Sequence, residues 1–485
     1  MHSPQESNIT APHLSRSLAA RIWLAVLIAA AVFTVHGPLH AGGNYVNDFA
    51  APYTSARLWL QHQNPYSPDA FWDAWHAAGG PLTRPGGGPV YANPSSTHSV
   101  YPPPSVVALS PFAMLSWQSA ENILIGLSTA LYIAALLLLT RLLPGTWRQF
   151  HKPGFFVLGL LFAPPQSALH VSNVTALAAP FVLLAASLLL KPLSAPKPAA
   201  PSAYQPQTWA IALLAALSLT IKPTLAPVLL VYLLYRHLWT TFIAALGITA
   251  MSAALFQLLQ PSWEWLSTLQ TNIEFLFTAG VADLAARNLS RSDRIDLQLP
   301  AYTLTHSRTA ATWIAGLIAL MLLTLWCKVA IRPTAPNVTL SVDSATQCHA
   351  MEQDRQLLLL STLLVIGLLP FYQRFYSATL LLLPALWAIR NLANLHLRRH
   401  ARWTLGLCCI CLVNTSVLPR VLGLNPPPGG IFYRLNEIFI TPHLCWILLV
   451  VTLVLLGASR TVTQNREMTN SCQAPKSTFV SGSNR

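Results

Sequence analysis

Eight apolar runs, at 22–35, 122–140, 239–259, 309–327, 356–371, 375–389, 403–419 and 443–458, constrain this chain more than any other feature. Most approach the roughly 20 residues that a helix needs to cross about 30 Å of hydrocarbon. With 53% hydrophobic and only 9% charged residues, the chain has too little polar surface to close over that much apolar sequence in water. An integral membrane protein follows. The Val-, Leu- and Ala-rich stretches lack the alternating blocks of about ten residues that build an outer-membrane barrel. The fold class expected is therefore all-α, a polytopic transmembrane helical protein.

Two further stretches are interrupted by proline. Residues 153–190, broken at "APPQSALHVSN", and 207–236, broken at "IKPT", read as helical hairpins and bring the count to about twelve spans. At about 1.5 Å per residue their shorter arms fall short of the hydrocarbon thickness. Irregular backbone at that depth is tolerated only where protein or water satisfies it, so the two turns are expected to line a cavity. Assigning Lys and Arg to short cytoplasmic connections places 19 of the 29 basic residues inside, with both termini. The two long loops on the other side, 41–104 and 260–308, hold eight of the 15 acids. No small-residue cleavage site follows residues 22–35, which read as an uncleaved first span. One transmembrane domain, 1–460, is then followed by a polar cytoplasmic tail, 461–485, with no core-forming pattern and expected to be disordered. The Pro- and Ser-rich stretch 191–207 reads as a linker.

Several function classes drop out. The seven cysteines show neither disulfide spacing in an exported loop nor the Cys/His spacing of a zinc site, so no metal and no cofactor are expected. The net charge of +14 is spread over short connections rather than gathered on one aromatic-studded face. Topogenic charge and attraction to membrane lipid account for it, and nucleic acid is not an expected partner. "PGGGP" at 85–89 is followed by no helix-opening Lys-Ser/Thr, which removes an ATP-driven machine.

A single carboxylate stands out. In "YVNDFAAPYTSARLWLQHQNPY", residues 45–66, Asp48 heads a stretch in which Phe49, Tyr53, Ala56 and Leu60 fall at helical spacing. Ser55, Arg57 and Gln61 fall on other faces, and Tyr45, Trp59 and Tyr66 suit the headgroup level, which describes an interfacial helix in the first extracytoplasmic loop. Asp48 itself is suited both to capping that helix and to chemistry.

"NDFAAPYTSARLWLQHQNPYSP", then "YPPPSVVALSPFAML" at 101–115, "SALHVSNVTALAAPFVLL" at 167–184, "ALSLTIKPTLAPVLLVYLLYR" at 216–236 and "RFYSATLLLLPAL" at 374–386 occur in a telling order. Over about residues 20 to 390 the chain resembles the polytopic glycosyltransferases of the GT-C superfamily, and within it glycosyltransferase family 87, the polyprenyl-phosphate-mannose-dependent mannosyltransferase group. The resemblance implies many transmembrane helices, interfacial helices in the first loop and a cavity open to the bilayer. It also implies a lipid-phosphate sugar donor, inversion at the anomeric carbon, and Asp48 as catalytic base. Two places depart from the family pattern: "HVSN", with His170 and Asn173, stands for the usual Gly-Gln-Val-Asn-like stretch, and the late Pro-containing region reads "PFYQRFYS".

The chemistry suits these residue types. A sugar hydroxyl attacking an anomeric carbon needs its proton accepted, which a carboxylate does well. The departing polyprenyl phosphate gains charge that fixed cations stabilise. Lys222 in the turn of a short hairpin is the foremost candidate for donor phosphate or sugar binding, against the alternative of snorkelling to the interface. Arg374, Tyr372, His170, Asn173, Arg287 and Arg294 complete the candidates, although the charged stretch 283–298 also suits a self-paired solvated face. The function expected is transfer of a hexose, mannose by resemblance, to a glycolipid or polysaccharide acceptor outside a bacterial cytoplasmic membrane. The alternative is a secondary transporter or a flippase for lipid-linked saccharides, since proline-broken helices also mark transport sites.

Overall fold

The protein is described here from a computed structural model, over residues 16–40, 47–81, 97–145, 150–191, 206–285, 288–331, 342–413 and 430–473. Its helices in chain order are α1 (Arg16–His36), α2 (Ala50–Leu60), α3 (Pro68–Ala77), α4 (Pro103–Ala113), α5 (Trp117–Arg141), α6 (His151–Leu161), α7 (Ala163–His170), α8 (Thr175–Leu189), α9 (Pro206–Ile221) and α10 (Pro227–Tyr235). They continue as α11 (Trp239–Leu259), α12 (Glu264–Thr278), α13 (Gln298–Thr305), α14 (Arg308–Ala330), α15 (Val342–Leu368), α16 (Leu382–Asn391), α17 (Arg398–Ile410), α18 (Ile431–Leu435) and α19 (His443–Gln473). No strand occurs among the described residues, as an all-α class requires. Prolines open α3, α4, α7 and α10, where the missing N–H has no helical partner to lose.

Five of these helices, α1, α5, α11, α14 and α19, are long and apolar enough to cross a membrane. They correspond to five of the eight apolar runs. All five turn large apolar side chains outward, most openly Trp23, Leu24 and Leu27 on α1, Ile243, Met251 and Leu258 on α11, and Trp313, Leu317 and Leu320 on α14. Water does not tolerate surfaces of that extent, whereas lipid does. The other three runs are less regular. Residues 356–368 form the inner end of α15, and 375–389 divides into a 3-10 turn, Phe375–Leu381, followed by α16. Pro384 explains the division, because proline is tolerated in the first turn of a new helix and not within a continuous one. The run 403–419 is helical to Ile410, and residues 414–419 lie outside the described ones.

The two proline breaks fall where the sequence puts them. The first separates α6, the short α7 and α8; the second separates α9 from α10. Helix α8 packs between α5 and α9, and α9 in turn packs on α11, while the segment that follows α1 is bonded to the first break through Asp48 N and Val171 O.

The helix after Asp48 departs from expectation. All of α2 except Arg57 and Leu60 is buried, so protein encloses it and it is not an amphipathic helix with a free polar face. Ser55 is buried with the rest; α4 packs along the helix, and Trp59 stacks on Phe256 of α11 and donates from Nε1 to the Phe256 carbonyl at 3.2 Å. Tyr66 is buried too, while Tyr45 lies outside the described residues. Asp48 does not cap α2 either. Asn47 makes that turn, accepting from Phe49 N through Oδ1 at 3.0 Å and from Ala50 N through its carbonyl at 3.1 Å. At the other end of the chain, α19 runs to Gln473, into the segment whose polarity suggested disorder. No proline interrupts it before Pro475.

Candidate active site

Asp48 is fixed by its backbone before its side chain makes any contact. Its N–H donates to the carbonyl of Val171 at 3.1 Å, which ties the segment entering α2 to the turn between α7 and α8. Across that tie, Asn173 Nδ2 donates to Asp48 Oδ2 at 2.8 Å and to Tyr376 Oη at 3.0 Å. Asn173 Oδ1 receives the N–H of Thr175 at 2.8 Å and its hydroxyl at 2.5 Å. With its oxygen occupied by two donors, the amide of Asn173 has one orientation, nitrogen toward the carboxylate. Among the described residues no hydrogen bond reaches Asp48 Oδ1, and the side chain remains 32% exposed.

The second proline break supplies a cation. Lys222 follows the last turn of α9, its N–H still bonded to Ser218 O at 2.9 Å, and Pro223 prevents the helix from continuing. Its ammonium donates to Thr175 Oγ1, stands 3.4 Å from Ser377 Oγ, and lies 4.6 Å from the centroid of the Tyr376 ring. A polar chain thus runs from Lys222 through Thr175 and Asn173 to Asp48. Gln373 secures this arrangement, donating to Thr224 O at 3.0 Å and accepting from Ser377 Oγ at 2.7 Å.

The strand-like segment before the 3-10 turn supplies a second cation. Ile295 N donates to Gln373 O and Leu297 N to Leu369 O, at 3.0 and 2.8 Å, which pairs the two chain segments antiparallel around an Arg294 to Arg374 bridge. Arg374 then points its guanidinium at two carboxylates, Asp293 Oδ2 at 2.8 Å and Asp48 Oδ2 at 3.9 Å.

These groups line one cavity of about 210 Å³, with Asp48, Asn173, Lys222, Tyr372, Arg374 and Tyr376 beside Tyr101 and His98. The rest of its wall is largely apolar, with Ala51, Val100, Ile221, Leu276 and Val281. Asn272 of α12 donates from Nδ2 to Ser99 O and to Tyr66 O, at 3.0 and 2.8 Å, and so holds the loop bearing Tyr101. Burial, above all other causes, pushes the Tyr101 and Tyr372 phenols up, so both stay neutral hydroxyls at working pH. Chemically the cavity offers a partly exposed carboxylate, two fixed cations and neutral hydroxyls against an apolar wall.

Of the residues singled out from sequence, Asp48, Asn173, Lys222, Tyr372 and Arg374 meet here. His170 stands apart from the cavity lining, its ring 6.2 Å from that of His40. Arg294 is wholly buried, with Nη2 2.7 Å from Asp296 Oδ1 and Nε 3.0 Å from Oδ2, and its Cζ lies 5.0 Å from the Tyr372 ring centroid. It supports the wall without facing the cavity. Arg287 lies outside the described residues. Sequence reasoning missed Thr175, Ser377, Asp293 and Tyr101, whose roles depend on contacts between distant segments.

A search of curated proteins and a search of solved structures found no match. A family model described as glycosyltransferase family 87 matches residues 100–351, which is more than half of the chain. The matched stretch contains Asn173 and Lys222; Asp48 and Arg374 flank it and join it in the cavity. By that match the chain belongs to glycosyltransferase family 87.

Proposed function

We propose that this glycosyltransferase moves a hexose, mannose in the first instance, from a polyprenyl-phosphate donor to a glycolipid or polysaccharide acceptor, with Asp48 as general base. The observation that carries the reading is the placement of Asp48 beside Lys222 and Arg374 in one cavity with an apolar wall. An acceptor hydroxyl approaching Asp48 Oδ1 gives its proton to the carboxylate as its oxygen bonds to the anomeric carbon. The bond from that carbon to the phosphate oxygen breaks on the opposite face, which inverts the centre. The extra charge on the leaving polyprenyl phosphate falls to Lys222 and Arg374. Tyr372 and Tyr376 are suited to hold hydroxyls of the sugar, Asn173 to hold the Asp48 carboxylate, and the apolar wall suits the first isoprene units. No cofactor enters this scheme. Membership of the family favours transfer over transport or flipping. Twelve crossings, both termini in the cytoplasm and a cavity on the extracytoplasmic side belong to the same proposal and are supported by the distribution of basic residues.

The test is incorporation of label from radioactive polyprenyl-phosphate-mannose into membrane acceptors by the wild type and by Asp48→Asn at matched expression. Loss of a general base lowers turnover by about 10²–10⁴-fold, so label should enter only with the wild type. Equal incorporation by both would remove Asp48 from the mechanism, and none by the wild type would remove this donor.

A further inference from the structure

A buried carboxylate outside the cavity remains without a role. Glu121 lies near the start of α5, an otherwise apolar helix of membrane-crossing length, and is 1% exposed. A carboxyl group in such a segment is expensive and persists where it has partners. Among the described residues its hydrogen bonds come from two side chains, and both reach the same oxygen. Asn47 Nδ2 donates to Oε1, and Ser172 Oγ donates to Oε1 at 2.9 Å.

The positions of those partners give the contact its meaning. Asn47 directly precedes Asp48, and Ser172 directly precedes Asn173. Asn47 also shapes the turn that carries Asp48, through its bonds to Phe49 N and Ala50 N. Ser172 sits at φ +50°, a left-handed conformation that a non-glycine residue adopts at a cost of order 1–3 kcal/mol unless its surroundings hold it there. The same two chain segments are joined by the Asp48 N to Val171 O bond and, on the cavity side, by Asn173 Nδ2 to Asp48 Oδ2. Glu121 therefore closes the assembly from behind, with one oxygen gripping both segments just ahead of the residues that meet in the cavity.

We propose that Glu121 is a positioning residue for the transfer reaction: Oε1 clamps Asn47 to Ser172 and so sets the distance and angle between the Asp48 carboxylate and Asn173. This rests on the reading of Asp48 as base. The clamp needs an acceptor oxygen, not a charge, which separates Glu121→Gln, which keeps Oε1, from Glu121→Leu, which keeps bulk and removes the acceptor. Displacing a reacting group by about 1 Å lowers turnover by about 10²-fold. Glu121→Leu should therefore lose kcat on that order with the donor KM little changed, while Glu121→Gln stays near wild type. A merely structural role would lower the amount of active enzyme in both variants according to their stability and would not separate them by acceptor.

The experiment combines steady-state transfer kinetics in nanodiscs with hydrogen exchange, which needs no sugar donor. In Glu121→Leu the amides of 47–50 and 171–174 should exchange faster, with 218–225 unchanged, and Glu121→Gln should exchange like the wild type. Unchanged exchange at 47–50 and 171–174 in Glu121→Leu overturns the clamp. So does a Gln variant as impaired as the Leu variant, which would make the charge the active feature. If Glu121→Leu does not accumulate, Ser172→Ala removes one arm alone, and a wild-type kcat in that variant overturns the proposal. A wild type that fails to use any polyprenyl-phosphate sugar defeats the proposed function, while the exchange pattern still decides the clamp.

Discussion

Asn173 connects the two kinds of group that a transfer reaction needs. Its amide oxygen takes both donors of Thr175, whose hydroxyl in turn receives the Lys222 ammonium, and its nitrogen serves Asp48. Lys222 is thus linked to Asp48 through this chain and also lines the cavity. Lys222→Ala should lower kcat/KM for the lipid donor by about 10²-fold, the scale seen when one preorganised donor is removed. Steady-state kinetics on purified protein checks this, and unchanged kinetics would return Lys222 to a lysine that only reaches for the interface. Asp48, Lys222 and Arg374 were legible in the sequence because each is an ionisable group at a break between apolar runs, where charge is costly and needs a reason. Glu121 was not, since a carboxylate at the edge of an apolar run has the same appearance whether it faces water or a buried asparagine. Arg294 illustrates the converse. A charged loop, "NLSRSDRID", cannot reveal that both of its arginines are paired inward, Arg294 with Asp296 and Arg291 with Glu437.

Short irregular elements, rather than the long helices, bring the site together. The turn after α7, the turn after α9 and the 3-10 turn Phe375–Leu381 each deliver residues to the cavity, and two of the three occur at proline breaks visible in the sequence. The pairing of 294–297 with 369–373 was not visible, because a two-residue bridge leaves no periodic pattern. Asp296 holds that pairing: besides Arg294 it accepts from Gln298 N at 3.1 Å and from Gln373 N at 3.2 Å. Removing one member of a buried ion pair typically costs about 3–5 kcal/mol, so Asp296→Asn should destabilise the protein on that scale. Thermal unfolding in detergent measures it, and a shift within the error of the wild type would show that this pairing does not need the charge. The buried course of α2 escaped prediction for a related reason. Apolar residues at helical spacing identify one buried face, but they do not say whether the remaining Ser and Thr are also covered by a neighbouring helix.

At the scale of the whole molecule, the exposed apolar faces of α1, α11 and α14 fit contact with lipid, and the orientation proposed from the basic residues can be tested directly. In a cysteine-free background, Ser267→Cys on α12 should react with a membrane-impermeant maleimide applied to intact cells, and His396→Cys should react only after permeabilisation. The opposite pattern would invert the bundle and place the cavity in the cytoplasm. The order in which the chain supplies its parts has a further consequence. Asp48 emerges with the first segment after α1, whereas Arg374 and Tyr376 emerge only after α15. During synthesis the nascent protein therefore carries Asp48 through most of translation without Arg374 and Tyr376, which complete the cavity. The cavity closes late in biogenesis, when the last of its walls is threaded into place.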